Sequence, residues 1–196
     1  MSTPREIRLA VVGVGHLGRQ HARVGASTPG VRVVGIHDHH VGRAEEVASA
    51  HTLPVLSTLE EVAGKAEAVV VATPTSSHAE LAGYFLDRGL DVLVEKPITA
   101  TLAEADDLLA RARRAGRILQ VGHVERHNPA VQAALTVVSE PRFIEVHRLG
   151  TFSPCSLDID VVLDLMIHDL QIVRAMAGRA VAEIRAAGVP ILTPRL

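Results

Sequence analysis

Two short segments hold residue types suited to moving a proton. In Asp164-Leu165-Met166-Ile167-His168-Asp169 a carboxylate and an imidazole stand four residues apart, Asp164 and His168. On a helix that spacing makes them neighbours on one face. A carboxylate beside an imidazole fixes the ring and favours its protonated form, which suits a histidine that takes a proton from an alcohol. Glu95-Lys96-Pro97 sets a lysine at the end of an apolar run, where its ammonium can hydrogen-bond a substrate hydroxyl. Of the 20 Lys and Arg residues only Lys65 and Lys96 are lysines, and lysine, unlike arginine, can be tuned toward neutrality. Taken alone, each segment also has a plainer reading: a structural helix pair, and an exposed lysine closing a strand.

A third segment binds rather than reacts. Gly13-Val14-Gly15-His16-Leu17-Gly18 is a G-x-G-x-x-G between an apolar run and a helical stretch. The first glycine permits a tight turn, the second lets backbone amides approach a pyrophosphate, and the third lets helix and strand pack closely. The helix amide end adds partial positive charge. Asp38 follows 20 residues after Gly18, where a carboxylate accepts hydrogen bonds from an adenosine ribose and repels a 2′-phosphate. NAD(H) is the expected cofactor; Arg43, able to reach a 2′-phosphate, keeps NADP(H) as the alternative. Thr73, Pro74, Thr75 and His78, with Glu95 and Lys96, end apolar runs at the edge where such sheets hold ligands. They join Gly13, Gly15, His16, Leu17, Gly18, Asp38 and Arg43 as expected cofactor contacts. Ser76 or Ser77 can also cap the helix that follows.

These residues need a scaffold, and the sequence supplies a regular beat. Near-continuous apolar runs at Ile7–Gly13, Val31–Asp38, Glu67–Thr73, Asp91–Glu95 and Ile118–Gly122 predict strands covered on both faces. Helices are predicted between them at His16–Ser27, Val41–His51, Ser76–Arg88 and Thr101–Ala115, the last two closed by Gly89 and Gly116. The alternation implies βαβ units and an α/β fold with a doubly wound parallel sheet of Rossmann type over residues 1–123. Beyond it, residues 124–196 read as the start of an α+β substrate or dimerisation domain. A helix there begins at Asn128-Pro129 and runs to about Val138. A strand at Arg142–Thr151, a helix at Val161–Ala177 and a strand at Ala180–Ala187 follow.

Composition excludes several classes. A formal net charge of −2 argues against nucleic acid and anionic membrane partners. There is no signal peptide and no apolar run long enough to span a bilayer, so a cytoplasmic setting is expected. The lone Cys155 rules out an internal disulfide framework. His37, His39 and His40 around Asp38, and Asp158, Asp160, Asp164 and His168, contain metal-ligating types but no ligand-spaced motif. No metal is expected.

Together GVGHLGRQH (13–21), ATPTSSH (72–78), EKP (95–97) and DLMIH (164–168) resemble the glucose–fructose oxidoreductase/inositol dehydrogenase/MocA family along essentially the whole chain. The resemblance implies an NAD-dependent enzyme that passes hydride to or from a sugar. Lys96 would orient the hydroxyl, His168 would act as acid/base and Asp164 would support it. GHVERHNPA (122–130) and HRLGTFSPCSLDIDVVLDLMIHDL (147–170) are similar to a narrower branch, the UDP-N-acetylglucosamine 3-dehydrogenases. This implies a nucleotide-sugar substrate lined by Arg126, Asn128, His147 and Arg148. The chain departs from that branch at His127, where Phe is expected, and at Cys155, where Arg is expected. It is also shorter than the family by roughly 100–150 residues. A truncated second domain with an exposed apolar sheet edge is therefore expected. Homo-oligomers are implied for the full-length family. A redox-neutral glycosidase using tightly held NAD, or an inactive nucleotide-binding remnant or regulator, stand as alternatives.

Overall fold

The computed structural model describes residues 6–149 and 159–190. The chain divides into two compact units, Met1–Gly122 and His123–Leu196. In the first, β1 (Ile7–Val12), α1 (His16–Ser27), β2 (Val31–His37), α2 (Val41–His51) and α3 (Leu59–Lys65) lead into β3 (Ala68–Val71). Then come α4 (His78–Asp87), β4 (Asp91–Val94), α5 (Leu102–Ala115) and β5 (Leu119–Val121). All strand pairs are parallel, in the order β2-β1-β3-β4-β5. The chain reverses its direction of travel across the sheet at β1 and β3, which opens a crevice at their carboxyl ends.

Two apolar layers explain why the strands read as continuous runs. Side chains alternate across a strand. Ala10 and Val12, Val69 and Val71, and Val92 and Val94 therefore face one core, filled by Val62 of α3, Phe85 and Leu86 of α4, and Leu108 of α5. Val11 and Val70 face the other, with Ala22 of α1, Val47 and Ala48 of α2, Val33 and Ile36. Each fully buried aliphatic or phenyl side chain contributes about 1.5–3 kcal/mol, so the first unit holds its strand ends firmly.

Helix ends follow local chemistry. Thr101 and Glu104 form a reciprocal capping box at the start of α5, and Gly116 closes it in the left-handed conformation, φ 62°. The sequence reading omits α3. A signal was present: Thr58 accepts from the Glu61 amide at 3.1 Å, the Thr-x-x-Glu start of a helix only seven residues long. Thr75–Ser77 forms a single 3₁₀ turn before α4, so the regular helix begins at His78 rather than Ser76.

The second unit contains a 3₁₀ turn (Val124–His127), α6 (Pro129–Val137) and α7 (Ile167–Ala177), which is preceded by a π-helical turn at Val162–Met166. The Asn128 side chain accepts from the Ala130 amide at 2.9 Å, and proline opens α6 as predicted. The two predicted strands are a correction. Residues 142–149 and 180–187 form no strand, and Thr151 lies outside the described residues. A strand must pair its amides and carbonyls with a neighbour, and two isolated strands do not make a stable sheet in water. Among the described residues the expected apolar sheet edge is therefore not formed. Phe143 (81% exposed), Val146, Leu149, Val181 and Ile184 are instead exposed on irregular backbone. Among the described residues of this unit, none is buried.

The capping box of α5 gives a direct test of the first unit. Thr101→Ala removes the side chain that accepts from Glu104 and is expected to cost about 1 kcal/mol. A urea titration would register the loss as a lower midpoint at unchanged slope.

Candidate functional site

The site begins where β1 turns into α1. Gly13 adopts φ +83°, and its amide donates to the His37 carbonyl at 2.8 Å. A Cβ on Gly13 would stand 2.6 Å from Thr73 Cγ2, and one on Gly18 would collide with the Gly13 carbonyl oxygen. Gly15 faces open space on its Cβ side and is the N-cap of α1, with no side chain capping the helix amides. His16 and Leu17 are exposed beside it. The turn thus presents an uncovered, electropositive helix end, the arrangement that receives a phosphate.

Asp38 stands at the end of β2 and is only 7% exposed. Its Oδ2 accepts from the Val14 amide at 2.9 Å, and its Oδ1 from the His40 amide at 2.8 Å. Burial alone would raise its pKa. The two amides, Arg43 and His39 outweigh burial and hold the carboxyl below its ordinary range. Arg43 Nη1 lies 3.4 Å from Oδ2, so the guanidinium is directed at Asp38. His37 donates to the Leu56 carbonyl at 2.8 Å, while the His39 and His40 rings lie tilted at 41° with centroids 3.9 Å apart. No group of three metal-ligating side chains occurs among the described residues.

The ends of β3 and β4 complete the edge. Ser77 Oγ lies 2.7 Å from Thr73 Oγ1 and 2.8 Å from the Pro74 carbonyl, and Thr75 is buried. His78, expected as a cofactor contact, is 1% exposed, and both its ring nitrogens face backbone carbonyls. Glu95, expected likewise, is 4% exposed. Its Oε1 lies 2.7 Å from His21 Nε2, and its Oε2 accepts from the Lys96 amide at 3.1 Å. Burial would raise the Glu95 pKa; His21 and the Lys96 amide and ammonium hold it below the ordinary value. Gly122, at the end of β5, leaves room for this carboxylate, since a Cβ there would approach it to 2.9 Å. His21 was inside a quoted motif but had no expected role. Only the fold, which brings α1 past β1 and β3 to β4, reveals its partner. The Lys96 side chain is half-buried at the same strand edge.

Asp164 and His168 belong to the second unit. Asp164 lies in the π-turn, its amide donating to the Asp160 carbonyl at 2.9 Å; Asp160 Oδ1 accepts from the Leu163 amide at 2.9 Å and starts the helical segment. Single π-turns recur at functional positions of helices. Arg148, expected to line substrate, forms a bidentate pair with Asp169 at 2.7 and 2.6 Å, which holds the Asp169 carboxyl below its ordinary range. Asn128 caps α6 and donates to Glu125 at 3.1 Å, Arg126 is half-buried, and His147 lies 3.1 Å from Glu145. Asp158 and Cys155 lie outside the described residues. An open pocket of about 660 Å³ lined by Glu140, Pro141, Arg142, Ala177, Gly178 and Arg179 contains none of the expected site residues.

A parallel sheet with a glycine cradle at the switch point and an acidic residue ending the next strand defines a dinucleotide-binding domain of Rossmann type. The chain belongs to the GFO/IDH/MocA oxidoreductases, a family with an NAD-binding Rossmann fold whose model matches residues 7–123. It is 37% identical over 190 residues to the UDP-N-acetylglucosamine 3-dehydrogenase of Acidithiobacillus ferrooxidans, covering 96% of this chain and 60% of that protein. The solved structure of that enzyme superposes with a TM-score of 0.90, covering 97% of this chain and 63% of the other. The scyllo-inositol 2-dehydrogenase (NAD(+)) of Bacillus subtilis is 29% identical, over 93% of this chain and 57% of that protein. GenD2 from gentamicin A biosynthesis, solved in complex with NAD, superposes with a TM-score of 0.79 at 25% identity, over 90% of this chain and 55% of the other. The chain thus spans about three fifths of the length of the curated relatives named here.

The residues present fit NAD. Gly13 and Gly18 leave no room for a side chain, Gly15 leaves the helix amides uncovered, and Asp38 accepts from two backbone amides and keeps lone pairs for a ribose diol. Replacing Asp38 by Ser is expected to reduce the preference for NAD⁺ over NADP⁺ by about tenfold, read by calorimetry with each dinucleotide. Glu95 sets a pH dependence. Its folded pKa is depressed, so its stabilisation is full above the unfolded value and is lost as pH falls through the folded one. Melting temperatures from neutrality down to about pH 3 should fall less steeply in Glu95→Gln than in the parent chain, from a lower starting value.

Proposed function

We propose that this protein oxidises a hydroxyl of a nucleotide sugar, the 3-hydroxyl of UDP-N-acetylglucosamine or a close analogue, in a reaction that uses NAD. The observation that carries this reading is the 37% identity with a UDP-N-acetylglucosamine 3-dehydrogenase over 96% of the chain, with Lys96 at the carboxyl-end edge of the sheet. When bound, NAD⁺ supplies the acceptor for the hydride that leaves the carbinol carbon. The Lys96 ammonium donates a hydrogen bond to the substrate oxygen and polarises it. His168 takes the hydroxyl proton as the carbon–oxygen bond becomes a carbonyl, and Asp164 orients the imidazole. Gly13, Gly15 and Gly18 carry the pyrophosphate, and Asp38 the adenosine ribose.

Purified full chain, NAD⁺ and UDP-N-acetylglucosamine should give rising absorbance in the near-ultraviolet band of NADH. His168→Ala should slow that rise by about 10²- to 10⁴-fold while NAD⁺ still binds, and Lys96→Ala should suppress it too. Full activity in His168→Ala would remove the acid/base assignment. Saturable NAD⁺ binding with no absorbance change would overturn dehydrogenation of this sugar and favour a redox-neutral use of the cofactor.

A further inference from the structure

The backbone ladder between β3 and β4 ends early. Its final bond is the Glu95 amide donating to the Val71 carbonyl at 2.9 Å. Past that bond both segments leave the sheet, one as Ala72-Thr73-Pro74, the other as Glu95-Lys96-Pro97. The ring of His78 lies between them. Nδ1 is 2.8 Å from the Pro97 carbonyl, and Nε2 is 2.9 Å from the Thr73 carbonyl. A carbonyl can only accept, and an imidazole with one N–H donates to one of the two carbonyls while its ring packs against the other. The ring is 1% exposed and sits at the first position of α4. A polar ring so buried is tolerable only because it is hydrogen-bonded, and an apolar side chain there would strip the donor from a backbone carbonyl.

The strand order says which part of a dinucleotide these segments meet. Asp38 ends β2 and takes the adenosine end, and the glycine cradle ends β1 and takes the pyrophosphate. In the order β2-β1-β3-β4 the nicotinamide end falls beyond β1, over the ends of β3 and β4. We infer that His78 is a positioning residue: by donating to one of the Thr73 and Pro97 carbonyls and filling the space between the two segments with its ring, it fixes the segments that receive the nicotinamide half of NAD, without touching the cofactor. The inference rests on the dinucleotide site of the proposed function and not on its sugar chemistry.

Calorimetry with the full chain separates this from a general structural role, because ADP occupies only the β1–β2 side and NAD⁺ occupies both. His78→Leu removes the donor and should weaken NAD⁺ about tenfold while ADP affinity stays within about twofold. His78→Asn places an amide near the position of Nδ1, and His78→Gln near that of Nε2. The variant whose amide reaches the bonded carbonyl should fall between parent and His78→Leu for NAD⁺, and both should match the parent for ADP. Should His78→Leu fail to fold, the Asn and Gln variants carry the same comparison. Equal weakening of NAD⁺ and ADP, or no weakening of either, overturns the inference. No sugar is present, so failure of the dehydrogenase reading leaves this measurement untouched.

Discussion

The structure depends on one close approach: the amide end of α1 lies against the Gly13 carbonyl, at a distance that only a glycine at position 18 allows. With that contact in place, α1 runs antiparallel to β1 and lays Ala22 against Val11, Val14 and Val70. The same helix then carries His21 to Glu95, at the end of a strand two places away in the sheet. A methyl group at position 18 would displace the first amides of α1 and the partner of a buried carboxylate together. Cofactor cradle and strand-end chemistry are in this sense one packing problem.

Two buried carboxylates, Asp38 and Glu95, stand on opposite sides of that crevice, and the protein solves their desolvation in different ways. Asp38 is supported chiefly by backbone amides of Val14 and His40, with Arg43 at the rim. These amides, with Arg43 and His39, hold its carboxyl below the ordinary range. Glu95 leans instead on the His21 side chain, 2.7 Å away, and on a single amide, that of Lys96. The Arg43 pair at the rim, with its side chain 40% exposed, adds less to Asp38 than the two amides do.

The apolar runs, the glycine spacing and Asp38 at its fixed offset made the first unit legible, because a parallel sheet covered on both faces leaves a continuous aliphatic signature. α3 escaped because seven residues give too little periodicity, although Thr58 and Glu61 were visible. The partners of Glu95 and His78 were not legible at all. His21 to Glu95 spans 74 residues and His78 to Pro97 spans 19, and no local pattern encodes either bond. Arg148 likewise has a partner that no local pattern shows: its guanidinium is bidentate to Asp169, 21 residues away. In the second unit the strand signals at 142–149 and 180–187 were real as composition, rich in Val, Ile and Phe. Composition supplies only the side chains of a sheet, and its hydrogen bonds must come from paired backbone.

The two halves of the proposed chemistry therefore rest on unequal foundations. Everything assigned to the dinucleotide, from Gly13 to Lys96, sits on strand ends anchored by two buried aliphatic layers. Asp164 and His168 sit on a π-turn and the first turn of α7, in a unit whose described side chains are all at least partly exposed. A site held by a core keeps its geometry against changes of about 1 kcal/mol, whereas a segment with little buried apolar area samples local openings at similar cost. Binding of NAD and transfer of the proton should accordingly respond differently to mild denaturant: affinity persists while turnover declines first. The residues proposed to recognise the cofactor are separable, in energy as well as in sequence, from those proposed to complete the reaction.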